Sequence, residues 1–117
     1  MKTEIKDFIV HTNESDWQPL IEKGVQYPGI SIIPLRYDEA KQRSTTILLK
    51  FEPGATYPYH NHPGGEEFFV LNGEAILEDV KFTQGDYLYT PVNFKHSVST
   101  KTGCIMLFVV PEEVEIL

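Results

Sequence analysis

Two histidines one residue apart, His60 and His62, are followed within five positions by adjacent carboxylates, Glu66 and Glu67, in the stretch YHNHPGGEEFFVLNG. Strand residues two apart share a face, so both imidazoles project together while Asn61 points away. Paired neutral imidazoles make a poor hydrophobic surface and a good pair of metal ligands. Pro63-Gly64-Gly65 then bends the chain and returns a carboxylate beside them. Further on, GDYLYTPVNFKH ends in His96 after another Pro-marked turn. Three imidazoles and one carboxylate converging inside a barrel would hold a six-coordinate cation with positions left open. A lone His-x-His on a strand is more often only a polar face; the nearby glutamates and the third histidine weigh against that here.

The surrounding texture predicts the elements that must position these groups. Short apolar runs are cut at regular intervals by Gly, Pro, Asn and Asp, the pattern of an all-β sandwich or barrel. Ile30 to Tyr37 and Ser44 to Phe51 read as strands. EFFVL and AILEDVKF flank Asn72-Gly73, a pair that favours a type I′ hairpin. DYLYT, HSVST and CIMLFVV complete the series, and PEEVEIL reads as a turn or a trailing edge strand. Helix signals are weak, and at most one short helical turn is expected, within SDWQPLIEKG. In EFFVL, Phe68 and Val70 face one way and Phe69 and Leu71 the other, so both faces need cover. The barrel wall supplies one cover. The N-terminal segment around Phe8, Ile9 and Trp17, or the second subunit of a homodimer, supplies the other.

The 117 residues suffice for one core. The composition, 41% hydrophobic and 23% charged, is that of a folded globular chain. A net charge of -7 without a basic stretch argues against a nucleic-acid partner. Neither a signal peptide nor a membrane span is legible, and the single cysteine, Cys104, suits a reducing compartment. The expectation is a cytoplasmic protein with no membrane partner. Cys104 opens an apolar run and reads as a buried structural thiol, and His11, in a charged segment, as a surface residue. Parity places Thr56 and Pro58 on the face of His60, and Val98 on that of His96. Tyr57, Tyr59, Tyr87 and Tyr89 read as packing residues, one of which could bring a phenol near the cavity.

These residues resemble the two motifs of the cupin superfamily. The first matches throughout as Gly54, five residues, His60-Asn61-His62, three residues, Glu66, six residues, Gly73. The second fits at Gly85, Pro91 and His96, with Asn93 where the motif has Gly and Thr100 where it has Asn. Asn tolerates positive φ, so the turn can survive. Trp17, TTILLKFEPG, HNHPGGEEFFVLNG and TGC at Cys104 extend the similarity to the ChrR-like branch, the cupin-type domain of anti-sigma factors and its stand-alone relatives. The motif interval selects Glu66, and parity agrees that only one of the two glutamates can meet the histidines.

The resemblance implies a cupin double-stranded β-helix, a jelly-roll β-barrel. Residues 1–117 would form a single domain, with 1–29 as an N-terminal strand or arm that covers the barrel or is swapped in a dimer, and 30–110 as the barrel core. It also implies a divalent transition metal (Fe, Zn, Mn or Ni) on His60, His62, Glu66 and His96. The function expected is a metal-dependent, Fe(II)-type dioxygenase of a small carbonyl or aromatic compound. Two alternatives are a non-catalytic sensory or regulatory module, for which direct anti-sigma action lacks an N-terminal sigma-binding domain, and a barrel whose metal is only structural. A small-molecule ligand or substrate is expected in each functional case.

Overall fold

A computed structural model describes residues 2–117. Two short 3-10 turns, Ile5–Phe8 and Thr12–Glu14, precede ten strands. These are β1 (Gln18–Glu22), β2 (Val25–Asp38), β3 (Arg43–Phe51), β4 (Thr56–Asn61), β5 (Glu66–Leu77), β6 (Val80–Thr83), β7 (Tyr87–Thr90), β8 (Lys95–Ser99), β9 (Cys104–Val109) and β10 (Glu115–Ile116). Every pairing is antiparallel, in the order β1-β2-β3-β9-β5-β8-β4-β10, with β6 and β7 also on β5. β5 joins the two curved walls. Its first part pairs with β7 and β9, and its last part with β6 and β8.

Alternation produces the core. Glu66, Phe68 and Val70 turn inward from β5, while Glu67, Phe69 and Leu71 turn outward. Phe51, Phe68, Met106 and Phe108 fill the interior with Leu49, Ala75 and Val98. Each large side chain buried there contributes roughly 1.5–3 kcal/mol of hydrophobic stabilisation.

Three expectations are corrected. Asn72-Gly73 is not a hairpin turn, because β5 runs through it. The turn falls at Glu78-Asp79, between paired Leu77 and Val80, where both residues have positive φ (49° and 64°), as a type I′ turn requires. Gly73 serves close approach instead: a Cβ there would lie 2.2 Å from the Gly103 carbonyl oxygen. The region assigned a helical turn holds β1, an edge strand that tolerates Pro19 and sends Leu20 into the core. The helical turns lie earlier in the chain. Finally, the N-terminal segment leaves Phe69 and Leu71 uncovered: Phe8 is 66% exposed and Ile9 47%. Trp17 does pack, with the Lys50 ammonium 4.9 Å from its ring centre.

Candidate metal centre

Three strands bring four side chains to one point. His60 lies near the end of β4, directly opposite His96 on β8, and His62 follows just beyond β4. The Pro63-Gly64-Gly65 turn closes tightly, with Gly65 N donating to His62 O at 3.1 Å, and delivers Glu66 as the first residue of β5. Gly65 has φ 76°, and a Cβ there would sit 2.9 Å from Thr90 O, so the turn is restricted to glycine on both counts. Asn93, at φ 64°, makes the left-handed turn before His96 and donates its amide to His62 O at 2.8 Å.

The ligand atoms of His60, His62 and His96 lie within 4.8 Å of one another. Their ring centres are 4.4 to 5.0 Å apart, with planes tilted 67–82°. All three rings are buried, and Glu66 is 5% exposed. Glu66 Oε2 approaches His62 Nε2 at 3.3 Å, and its Oε1 is 3.7 Å from His96 Nε2. These are approaches without hydrogen-bond alignment: His62 Nε2, His96 Nε2 and Glu66 Oε1 are buried with no hydrogen-bond partner. Buried polar atoms left this way are costly, which argues that something missing from the protein itself satisfies them.

The backbone fixes the tautomers. His60 Nδ1 lies 2.6 Å from Pro58 O, and His62 Nδ1 lies 2.7 Å from Phe94 O. A carbonyl can only accept, so each Nδ1 carries the proton and each Nε2 presents a lone pair. Burial, with the neighbouring imidazole His62, pushes His60 down to about 4 and His96 to about 3. Burial pulls His62 the same way, but the Glu66 carboxylate outweighs it and raises His62. Glu66 is raised by burial, against the opposing pull of His62. Two imidazoles are thus neutral near pH 7, the state that ligates metal. Three clustered imidazole nitrogens, those of His62 and His96 buried and unpartnered, with the unpartnered Glu66 oxygen beside them, fit a borderline divalent cation.

A cavity of about 60 Å³ adjoins the cluster. His60 and Glu66 reach its lining, Leu49, Phe51, Val98 and Phe108 give apolar walls, and Glu22, Arg43 and Glu113, all partly or fully exposed, mark its mouth. Val98 faces inward as parity requires. Thr56 and Pro58 do not line the cavity; Tyr57 does, because the β4–β8 register slips between Tyr57 and His60. Pro58, which has no N–H for the ladder, is the sequence signal for that slip. Glu22 escaped the sequence reading because β1 was not foreseen. Arg43 was recoverable by counting back in twos from Phe51 and Leu49. Glu67 points outward and accepts from the Tyr87 hydroxyl at 2.5 Å. Cys104 is buried, with its thiol pushed up to about 11 by burial, and His11 is exposed.

The ChrR cupin-like domain family matches residues 5–114. This chain belongs to that family. The fold is shared with a candidate acetylacetone dioxygenase of Methylibium petroleiphilum PM1, at 17% identity and TM-score 0.82, covering 100% of this chain and 85% of that one. An acetylacetone dioxygenase from Acinetobacter johnsonii matches at 14% identity and TM-score 0.74, covering 93% and 74%. At such identities the likeness establishes the cupin fold alone. The DNA damage-repair/toleration protein DRT102 of Arabidopsis thaliana is 28% identical over 64 residues, which are 50% of this chain and 21% of that protein. The chain therefore spans about a fifth of that relative's length. Among the described residues, no helix is long and apolar enough to cross a membrane.

Proposed function

We propose that this cupin is a metal-dependent, dioxygenase-type enzyme acting on a small carbonyl or aromatic compound, with the metal held by His60, His62, Glu66 and His96. The observation that carries the reading is the set of buried, unpartnered nitrogens beside an apolar cavity. When bound, a divalent cation would supply Lewis acidity and positions for an oxygen donor. The chain's own residues do the rest. Pro58 O and Phe94 O orient two imidazoles, Glu66 supplies negative charge, and the apolar walls limit water at the reacting atoms. The fold shared with acetylacetone dioxygenases supports β-diketones and related ketones as first substrates to try.

Oxygen uptake by Fe(II)-loaded protein, across a panel of β-diketones and hydroxyaryl ketones, tests the enzyme reading. Turnover that disappears in His60→Ala is the expected result. The ChrR-family match favours a second reading, a non-catalytic metal-dependent sensor. Ligand-dependent thermal shifts with no oxygen uptake across the panel would select it and reject the enzyme.

A further inference from the structure

The cavity has a second polar feature that the metal cluster does not use. Tyr57, 7% exposed, donates its hydroxyl to Oε1 of Glu22, joining β4 to β1 across the cavity wall. The Tyr57 ring lies edge-on to His60, with centres 4.8 Å apart, so this pair stands one ring away from the histidine cluster. Both residues line the cavity. Glu22 also faces an outer groove with Tyr27 and Pro58, which places the pair where the cavity meets that groove.

The donor inventory decides what this pair can recognise. The one Tyr57 proton is committed to Glu22, and burial raises the phenol further above its ordinary range, which keeps that proton in place. What remains for a ligand is the phenolic oxygen and the second carboxylate oxygen, both acceptors. The other charged groups at the mouth are engaged elsewhere. Arg43 Nη1 donates to Val110 O at 2.7 Å, and Glu113 lies 3.7 Å from the Lys23 ammonium. With that lysine counted, two cations face two carboxylates at the mouth, so discrimination against anions falls to Glu22 beside the Tyr57 hydroxyl. The cavity's 60 Å³ accommodates about four to six water-sized groups. A ligand of that size that reaches the metal cluster also reaches Tyr57.

We propose that Glu22 and Tyr57 form an acceptor-only recognition site for a hydroxyl or N–H group of a small neutral ligand, whose carbonyl oxygen faces the histidine cluster. This inference rests on the metal reading for the ligand's other end. It narrows the substrate class to hydroxy- or amino-substituted ketones, and it disfavours carboxylate anions, which Glu22 repels. Glu22 and Tyr57 are here specificity residues.

Hydroxyacetone and butanone, equal in heavy atoms and differing by the hydroxyl, are the probes, with pyruvate as the anionic control. Calorimetric titration of metal-loaded protein is expected to show hydroxyacetone binding about tenfold or more tighter than butanone, with pyruvate weakest. In Glu22→Gln the preference falls toward unity and pyruvate gains affinity. Tyr57→Phe, which frees Glu22 from its anchor, reduces the preference while metal content stays at the wild-type level. Equal affinities for hydroxyacetone and butanone in the wild type overturn the proposal, as does failure of both to bind or an unchanged preference in Glu22→Gln. Metal analysis of each sample separates the two readings. A preference without bound metal sinks the metal centre and leaves this site standing; bound metal without a preference does the reverse.

Discussion

At the scale of single residues, His60 and His62 each give one ring nitrogen to a backbone carbonyl, and the other nitrogen is left facing a buried space. Removing a ring or the carboxylate removes a lone pair that nothing nearby replaces. Protein purified from metal-supplemented medium should therefore contain close to one divalent ion per chain, and His60→Ala and Glu66→Ala roughly a tenth of that or less. Glu67→Gln, altering a carboxylate that points outward, should keep the wild-type content. Elemental analysis of the four proteins checks this, and unchanged content in both ligand variants rejects the assignment. The same burial has a consequence for pH in metal-free protein. His60 and His96 titrate near 4 and 3 when folded, below their ordinary 6.5, so the unfolded chain takes up protons first on acidification. Their contribution to stability is complete above about pH 6.5 and is lost as pH falls toward 4. His62, raised through Glu66, and Glu66, raised by burial, act with the opposite sign, so the histidine share has to be read by difference. The His96 share is the drop in the urea midpoint of chelator-treated protein between pH 7 and 5 in excess of the drop in His96→Asn; a variant whose midpoint follows pH as the wild type does contradicts this account.

At the scale of elements, the site depends on strands held at close quarters by glycine. Gly73 and Gly85 both have positive φ, 78° and 93°, but only Gly73 faces backbone at contact distance. Gly73→Ala adds a collision with Gly103 O to the left-handed strain and should cost roughly 3 kcal/mol or more. Gly85→Ala meets open space and should cost about 1–2 kcal/mol, from the strain alone. Chemical denaturation of the two variants distinguishes them, and equal losses would show that the Gly73–Gly103 approach is not constraining. The same glycine shows where sequence reading reached its limit. Asn72-Gly73 carries a strong hairpin signal, yet the turn formed six residues later at Glu78-Asp79, whose left-handed conformations carry a weaker signal. A close-approach glycine and a turn glycine look alike until the opposing strand is known. The histidine faces were legible because the strand parity of β4 is regular after the slip near Pro58; parity carried back across that slip put Thr56 and Pro58 on the cavity face, which Tyr57 takes instead. Alternation, which β5 obeys from its first residue, allows only one of Glu66 and Glu67 to meet the histidines, and the motif interval to Gly73 selects Glu66.

At the scale of the whole molecule, two consequences follow from the arrangement of the walls. A cation on His60, Glu66 and His96 would tie β4, β5 and β8 together, and the unfolded chain offers no such site. Metal at a thousand times its dissociation constant then adds about 4 kcal/mol of stability, and chelation should lower Tm by roughly 10 °C. A shift below a degree or two would limit the cation to weak surface binding. The second consequence concerns the outer wall. Phe69 and Leu71 on β5 and Tyr87 and Tyr89 on β7 stand 40–59% exposed, with Phe69 directly opposite Tyr87 across the strand pair. Monomeric surfaces seldom leave so many large side chains together without a partner. We propose that a second copy of the chain covers them. A net charge of -7 opposes self-association everywhere except on a face poor in carboxylates, and a twofold interface needs one patch that complements itself. On this face Glu67 is the carboxylate among the four large side chains, and it keeps its charge while accepting from the Tyr87 hydroxyl. Sedimentation at micromolar concentration should give a dimer, and Phe69→Asp combined with Tyr87→Asp a monomer that retains its metal. A wild-type monomer across that range, or a dimer unaffected by both charges, would show that this face is not the one the copies share.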